Sequence, residues 1–190
     1  LPAIEGLARV DVVCLDKTGT LTEGGMDVSE LRVLPGARAD EPYVRQVLGA
    51  LGESDPRPNA SLQAIIDAYP DGTGWRCTES LPFSSARKYS GATFSEGNGE
   101  TSSWLLGAPD VLLGSDDPDL AETDRLNEQG LRVLLLARVG RDLDDPEVAQ
   151  GAKPAALVVL EQRLRPDAAD TLRYFAEQHV RAKVISGHNA

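Results

Sequence analysis

The sequence predicts an α/β chain in which one unit with a parallel sheet is interrupted by a larger unit of mixed α+β structure. Strand-like apolar runs at residues 10–15 and 182–185 are each followed by a turn of small polar residues. Between them, helical spacing alternates with hairpin-like strands. Because parallel α/β sheets carry functional loops at the carboxyl ends of their strands, the loop after the first strand is a natural point of insertion. The predicted domains are residues 1–23 and 161–190 for the interrupted unit and 24–160 for the insertion.

Hydrophobic spacing and turn residues predict the elements of the insertion. Apolar residues recur at helical intervals in residues 41–51 and 61–69. Glu96-Gly97-Asn98-Gly99 has the composition of a hairpin turn. Gly130 suits the C′ position of a helix predicted at 119–129. The remaining predicted elements are a short helix at 109–113 and strands at 75–79, 89–95, 102–106, 131–139 and 155–160.

The segments on either side of the insertion have different patterns. Glu23-Gly24-Gly25 predicts a flexible exit from the first strand and its loop. After the insertion, Pro166 suits the first position of a helix, and Asp167 complements the dipole of that helix, which ends near Gln178. We expect this helix to bury Leu172, Phe175 and Ala176.

Composition limits the possible functions. The net charge of −11 argues against general binding to nucleic acids or anionic membranes, because both require a basic surface. Cys14 and Cys77 form neither a disulfide framework nor a metal-ligand cluster, and Cys14 is expected in the core of the first strand. No apolar run reaches the roughly 18 residues of a membrane span, and no signal peptide is present.

The segment Asp16-Lys17-Thr18-Gly19-Thr20-Leu21-Thr22 carries the strongest functional signal. A carboxylate at the end of a strand, followed by a Thr/Gly turn, suits phosphoryl transfer because the N–H and hydroxyl groups of the turn can bind phosphate oxygens. Asp16 can then attack phosphorus and form an acyl phosphate. The alternative is that Asp16 and the threonines only cap a turn. The complete order of seven residues after an apolar strand favours the catalytic interpretation.

This heptapeptide resembles the phosphorylation motif of P-type ATPases, ion pumps of the haloacid-dehalogenase (HAD) superfamily. The resemblance implies a mixed antiparallel-sheet nucleotide-binding domain inserted in a truncated HAD-like (Rossmannoid) phosphorylation domain. It implies that Asp16 accepts the phosphoryl group and that Asp16 and the Thr18 carbonyl ligate Mg²⁺. The other implied catalytic residues, which bind phosphate or stabilise its charge, are Lys17, Thr18, Gly19, Thr20, Ser186 and Gly187.

The inserted region resembles the same family in three segments. Residues 83–88 resemble the segment that contacts adenine, which implies that Phe83 stacks on the base and that Ser85 and Lys88 lie near the nucleotide. Residues 105–110 resemble a Lys-Gly-Ala-Pro-Glu element that includes Gly107. Residues 131–134 resemble the segment whose arginine, here Arg132, reaches the phosphates.

Three positions depart from the family pattern. Leu106 stands where the family has lysine, and Ser85 stands where many members have arginine. Both changes remove positive charge from an acidic chain, so we expect weak ATP binding. His188 replaces an acidic residue of the family, and an imidazole is a poor ligand for a hard cation that prefers oxygen.

Thr18 separates the expected pump from its enzymatic relatives. Phosphatases of the superfamily carry an aspartate at this position, and such a general acid and base contributes a factor of roughly 10²–10⁴ to the rate. Without it, the aspartyl phosphate persists, as a pump requires. Two alternatives stay open: a soluble HAD-type phosphatase with a large cap domain, and a non-catalytic nucleotide-sensing module in which Asp16 is vestigial.

The resemblance implies a bacterial plasma-membrane pump, with calcium as the suggested ion. ATP and Mg²⁺ are the implied cofactors. The implied partners are the transported cation and the protein's own actuator and membrane domains, with no nucleic acid. Because the chain begins at Leu1 and stops abruptly at Ala190, we expect a soluble cytoplasmic fragment that does not complete turnover alone.

Overall fold

A computed structural model describes residues 10–35, 37, 39–114 and 117–185. The chain divides into two compact units, with boundaries between Gly25 and Met26 and between Glu161 and Gln162. The strands are β1 Val12–Asp16, β2 Thr22–Val33, β3 Arg76–Ser84, β4 Tyr89–Ser95, β5 Thr101–Gly107, β6 Arg132–Val139, β7 Lys153–Leu164 and β8 Arg181–Ile185. The α-helices are α1 Glu41–Ser54, α2 Ala60–Ala68, α3 Pro109–Leu112, α4 Pro118–Glu128 and α5 Ala168–Glu177.

The smaller unit contains a parallel pair of strands. In this pair β1 and β8 run in register from Val12 opposite Arg181 to Asp16 opposite Ile185. The backbone N–H of Arg181 donates to the Asp11 carbonyl at 2.8 Å and extends the pairing by one residue. The carboxyl ends of the two strands therefore lie side by side.

The larger unit is built on a six-stranded sheet of order β2-β7-β6-β5-β4-β3. The pairs from β3 to β7 are antiparallel, and each face of the sheet carries its own apolar core. Successive side chains of a strand point to opposite faces of the sheet. On β6, Leu134 and Leu136 pack into the core that contains α1 and α2, whereas Leu135 and Ala137 pack into the core on the other face. Mixed α/β structure with an antiparallel sheet agrees with the predicted fold class.

The predicted flexible exit after residue 22 is wrong. Residues Thr22–Val33 form one twelve-residue strand that lies beside β7 in the sheet. The hydroxyl of Ser29 donates to the Val159 carbonyl at 3.2 Å across the two strands. Pairing with β7 overrides the low strand preference of Gly24 and Gly25. This long-range pairing cannot be predicted from local composition.

Three expectations for the smaller unit also need correction. Helix α5 begins at Ala168 rather than Pro166, because residues 165–168 form a turn in which the Ala168 N–H donates to the Arg165 carbonyl. Leu172 and Phe175 are only half-buried, and Ala176 is exposed. Cys14 is exposed, not a core residue. In the described part of this unit, one helix and two strands provide little apolar surface against which such side chains can pack.

Candidate functional site

Asp16 lies at the carboxyl end of β1, the last residue of the strand and opposite Ile185 of β8. Its side chain is exposed, and its Oδ1 atom accepts a long hydrogen bond of 3.4 Å from the Thr18 N–H. In parallel α/β sheets this edge is where ligands bind. The carboxylate is thus accessible for attack on an incoming group.

The turn Lys17–Leu21 after Asp16 is closed by Thr22. The buried Thr22 hydroxyl accepts from the Gly19 N–H at 3.1 Å and donates to the Lys17 carbonyl at 3.3 Å. Gly19 has φ +78, a left-handed conformation that favours glycine. The sequence pattern predicts a turn after the strand, but only the structure shows that Thr22 closes this turn.

The predicted phosphate-binding residues have different positions in this turn. Thr18, Gly19 and Thr20 are exposed, and Lys17 is half-buried. The Gly19 N–H is already bonded to Thr22 within the turn, so the Thr18 and Thr20 hydroxyls are the more accessible donors. Ser186 and Gly187 lie outside the described residues.

A hard cation would meet two protein oxygens at this edge. The Asp16 carboxylate and the Thr18 carbonyl are the ligand types that Mg²⁺ prefers. Among the described residues no group of three or more acidic, histidine or cysteine side chains converges in the manner of a protein-only metal cage. Two such oxygens suit a Mg²⁺ ion, which usually keeps several waters and binds through one or two carboxylates and substrate phosphates.

In the larger unit, three predicted nucleotide contacts converge although they are far apart in sequence. Phe83, Gly107 and Arg132 line one small cavity, which we call the Phe83 cavity. Its volume is about 30 Å³, which is room for about one water molecule. The cavity therefore marks where the side chains meet and is too small to enclose a base, whereas the Phe83 side chain beside it is 42% exposed.

Phe83 lies in an irregular part of the pairing between β3 and β4. The register of β3 with β4 shifts between Leu81 and Ser84, and Pro82 lacks the N–H that a regular ladder needs. Such bulges re-aim side chains beside binding sites. β3 is an outer strand of the sheet, and the Phe83 side chain on it is partly exposed to solvent.

Lys88 and Ser85 lie outside the lining of this cavity. Both are exposed in the segment between β3 and β4. Lys88 has φ 60 and its Nζ atom forms an ion pair of 2.8 Å with Asp110. The Lys88 charge is therefore partly neutralised, whereas Arg132 has no ion pair within the described part of the chain.

Sequence analysis missed several lining residues of the Phe83 cavity. These are Asn59, Ser61, Leu62, Ser90 and Leu134. Asn59 carried a usable signal, since an asparagine immediately before a helical run is a typical N-cap. Leu106, at the position where the resemblance implies a lysine, is buried and gives the cavity an apolar wall.

Comparison with known proteins gives relatives that match the whole chain. Over all 190 residues the chain is 56% identical to the calcium-transporting ATPase CtpE of Mycolicibacterium smegmatis. It is 53% identical over 191 aligned residues to the protein of the same name in Mycobacterium tuberculosis, and 38% identical over 189 to the probable cation-transporting ATPase exp7 of Streptococcus pneumoniae. Its homologues are P-type ATPases. The chain spans 23% of the length of each of these three relatives.

Solved structures agree with this family at the level of fold. Two crystal structures of a zinc-transporting PIB-type ATPase match 98% of the chain and 27% of their own chain, with TM-scores of 0.61 and 0.68 at 23% and 21% identity. No family model matches the sequence. The predicted resemblance to P-type ATPases, and to the mycobacterial cation-transporting ATPase E in particular, is confirmed by the homologues. The predicted class of enzyme agrees with the names of these relatives, which are ATPases.

Proposed function

We propose that this chain is the ATP-binding and phosphoryl-accepting part of a cation-transporting P-type ATPase. The larger unit would be a nucleotide-binding domain inserted in a HAD-like phosphorylation domain, with the segments 1–23, 24–160 and 161–190 predicted from the sequence. The convergence of Phe83, Gly107 and Arg132 on one cavity carries the proposal. Their positions on β3, β5 and β6 come together only through the sheet, not through sequence proximity.

Each residue has a defined task in the proposed ATP complex. Phe83 offers an exposed aromatic face on which adenine stacks. Arg132, which has no ion pair among the described residues, is available for charge-assisted hydrogen bonds to phosphate oxygens. Gly107 allows β5 to pass close to the backbone of Lys88 without a side chain between them. Ser85 and Lys88 would act at the rim of the site.

In the proposed reaction a carboxylate oxygen of Asp16 attacks the γ-phosphorus of ATP. The new O–P bond forms as the bond to the β–γ bridging oxygen breaks, and ADP leaves with the electron pair. Lys17 would add a positive charge near the acceptor, and the Thr18 and Thr20 hydroxyls would donate to phosphate oxygens, which favours the charged transition state. Gly19 would allow the left-handed turn that presents them. Ser186 and Gly187 are proposed to contribute to the same phosphate site. Mg²⁺, held by Asp16 and the Thr18 carbonyl, would neutralise phosphate charge.

The acyl phosphate would then drive ion translocation. Because Thr18 is not an acid or base at neutral pH, this position does not activate water to hydrolyse the intermediate. We propose calcium as the ion, because two relatives with 53% identity or more are named calcium-transporting ATPases. The proposed location is the plasma membrane, with actuator and membrane domains of the whole protein as partners; no helix among the described residues is long and apolar enough to span a membrane.

Phosphorylation of the whole protein tests the proposal. With γ-labelled ATP and Mg²⁺, the wild-type protein should gain a label that is removed by hydroxylamine, and Asp16→Asn should gain none. Asp11→Asn is the matched control, because Asp11 is another exposed carboxylate next to the same strand. The chain of 190 residues alone should stay unlabelled. Label retained by the Asp16→Asn protein would refute Asp16 as the acceptor.

A phosphatase or a nucleotide sensor would give other results. Turnover of p-nitrophenyl phosphate by the whole protein would favour the phosphatase. Calcium transport that survives Asp16→Asn would favour the sensor. We expect neither, because Thr18 lacks the general acid and base of the phosphatases and Asp16 is exposed at the strand end where catalysis would need it.

A further inference from the structure

A second and much larger cavity lies at the opposite end of β6 from Arg132. We call it the β6–β7 cavity; its lining includes Trp104, Arg138, Arg141, Val148, Lys153 and Pro154. Its volume is about 650 Å³, within the range of roughly 300–1,000 Å³ typical of sites for small molecules. Residues 132 and 138 are six positions apart on one strand, which at about 3.3 Å per residue separates them by about 20 Å. The β6–β7 cavity is therefore separate from the Phe83 cavity.

Two cations stand directly opposite each other at the rim of this cavity. Arg138 on β6 pairs in register with Lys153 on β7, so their side chains share one face of the sheet. Like charges placed directly opposite on neighbouring strands are destabilising. In the described part of the chain neither side chain forms an ion pair, although the whole sequence has an excess of eleven acidic groups (net charge −11).

Nearby carboxylates do not neutralise this pair. Asp145 and Glu147 are held by Arg141 at 3.0 and 3.5 Å, so Arg141 is the cation that is already satisfied. Arg138 instead lies over the Trp104 ring, with 5.8 Å from Cζ to the ring centroid. This contact orients the guanidinium but does not provide an ion-pair partner for it.

The adjacent hollow, which also reaches Arg138, is acidic. Its Asp40 accepts from the Tyr43 N–H at 3.0 Å, and its Glu96 accepts from the Tyr43 hydroxyl at 2.6 Å. Its third carboxylate, Glu100, accepts from the Asn98 amide at 3.1 Å. These carboxylates are bonded to neutral donors, and none forms an ion pair with Arg138.

We propose that the β6–β7 cavity binds a small phosphate-bearing molecule, with the phosphate group between Arg138 and Lys153. A phosphate ester carries a charge of about −1.5 to −2 near neutral pH, which matches two unpaired cations. Arginine offers a planar pair of donors and lysine a point charge, the two usual ways of binding phosphate. Val148 and Pro154 give the cavity an apolar wall for the rest of the molecule. The proposal does not depend on ATP binding at the Phe83 cavity.

Amide NMR spectra of the 190-residue chain, titrated with inorganic phosphate at constant ionic strength, test the site. We expect saturating shifts at residues 138–141 and 151–155. Arg138→Gln or Lys153→Gln should weaken phosphate binding by about tenfold or more, because each removes one charge-assisted contact. Arg125→Gln, an exposed arginine in the same unit, is the control and should bind as wild type. Phe83→Ala should also bind as wild type, which separates this site from the proposed ATP site.

Thermal unfolding gives an independent readout. In phosphate-free buffer Lys153→Gln should raise the unfolding midpoint, because it removes a like-charge pair. At the same concentration, phosphate should raise the midpoint of the wild type more than that of Lys153→Gln, because the variant binds it more weakly. Glucose 6-phosphate should bind at least as tightly as inorganic phosphate, since it adds contacts with the apolar wall. Three results would overturn the proposal: shifts centred elsewhere, binding by Arg138→Gln and Lys153→Gln as tight as that of the wild type, or tighter binding of malonate than of phosphate.

Discussion

At Gly107 the chain has no room for a side chain. A Cβ atom there would lie 2.3 Å from the Tyr89 Cβ and 2.6 Å from the Lys88 carbonyl oxygen, both closer than real contacts allow. The glycine of the Gly-Ala-Pro element thus has a packing role between β5 and β4, in addition to its place in the Phe83 cavity. A single residue links the backbone of Lys88 to the cavity wall.

Gly107→Ala should therefore destabilise the larger unit by about 1–3 kcal/mol, the cost of overpacking a well-filled site. Gly97→Ala is the matched control, because a Cβ at Gly97 meets nothing within 4 Å. Urea unfolding of both variants measures the difference. If Gly107→Ala were as stable as Gly97→Ala, β4 and β5 would have to make room for the new methyl group without a loss of stability.

Tyr43 is a second residue whose environment predicts a measurable effect. Burial, followed by its hydrogen bond to Glu96, raises the pKa of Tyr43 from 10.0 to about 12. A pKa raised in the folded state means that the neutral form stabilises the fold below pH 10, and that this contribution is lost as the pH rises through about 12.

Tyr43→Phe keeps the ring contacts with Trp75 and Trp104 but leaves buried Glu96 without its tyrosine donor. We expect a loss of about 1–3 kcal/mol near neutral pH, since removal of one partner leaves a buried acceptor less satisfied. The difference from wild type should shrink between pH 10 and about 12. Urea unfolding across this range checks it, and a difference independent of pH would contradict the assigned cause.

At the scale of single elements, local signals predicted those structures that depend on neighbouring residues in the chain. The turn Glu96–Gly99 was predicted from its composition, and the structure shows Gly99 at φ 84 with its N–H donating to the Glu96 carbonyl. Strand β2 was missed because Gly24 and Gly25 carry no strand signal and the pairing with β7 is distant in sequence. Cys14 was misplaced because an apolar strand pattern does not show how much structure covers it.

Candidate-site residues follow the same rule. The Asp16 turn is contiguous, so its pattern was recognisable in the sequence. Phe83, Gly107 and Arg132 were predicted from the resemblance to a family. The motifs of a family can mark residues that are close in the fold although they are distant in sequence. Ser90 and Leu134 were missed because their place in the Phe83 cavity depends on the registers of β4, β5 and β6.

Helix α2 gives a test at the element scale. The Asn59 side chain accepts from the N–H groups of Ser61 and Leu62, both at 3.0 Å, and caps the helix beside the Phe83 cavity. Asn59→Ala should cost about 1 kcal/mol of stability, the usual value of an N-cap. Asn59→Asp keeps an acceptor and should remain close to wild type in urea unfolding. An Asn59→Ala variant as stable as wild type would show that packing alone holds α2.

At the scale of the whole molecule, the chain combines two units that would divide one reaction. The smaller unit presents Asp16 at a strand end, and the larger unit brings together Phe83, Gly107 and Arg132. Boundaries at residues 25–26 and 161–162 coincide with continuous strands, since β2 and β7 each run through a boundary. The net charge of −11 opposes binding of a polyphosphate, so the few cations at the Phe83 cavity must act locally.

The most direct measurement of the central claim is an amide NMR titration of the 190-residue chain with ATP. We expect shifts at residues 59–62, 83, 90, 105–107 and 132–134, and loss of these shifts in Phe83→Ala. The affinity should be weaker than low micromolar, because Leu106 stands where the resemblance implies a lysine. Shifts confined to the β6–β7 cavity, or no shifts at millimolar ATP, would contradict it.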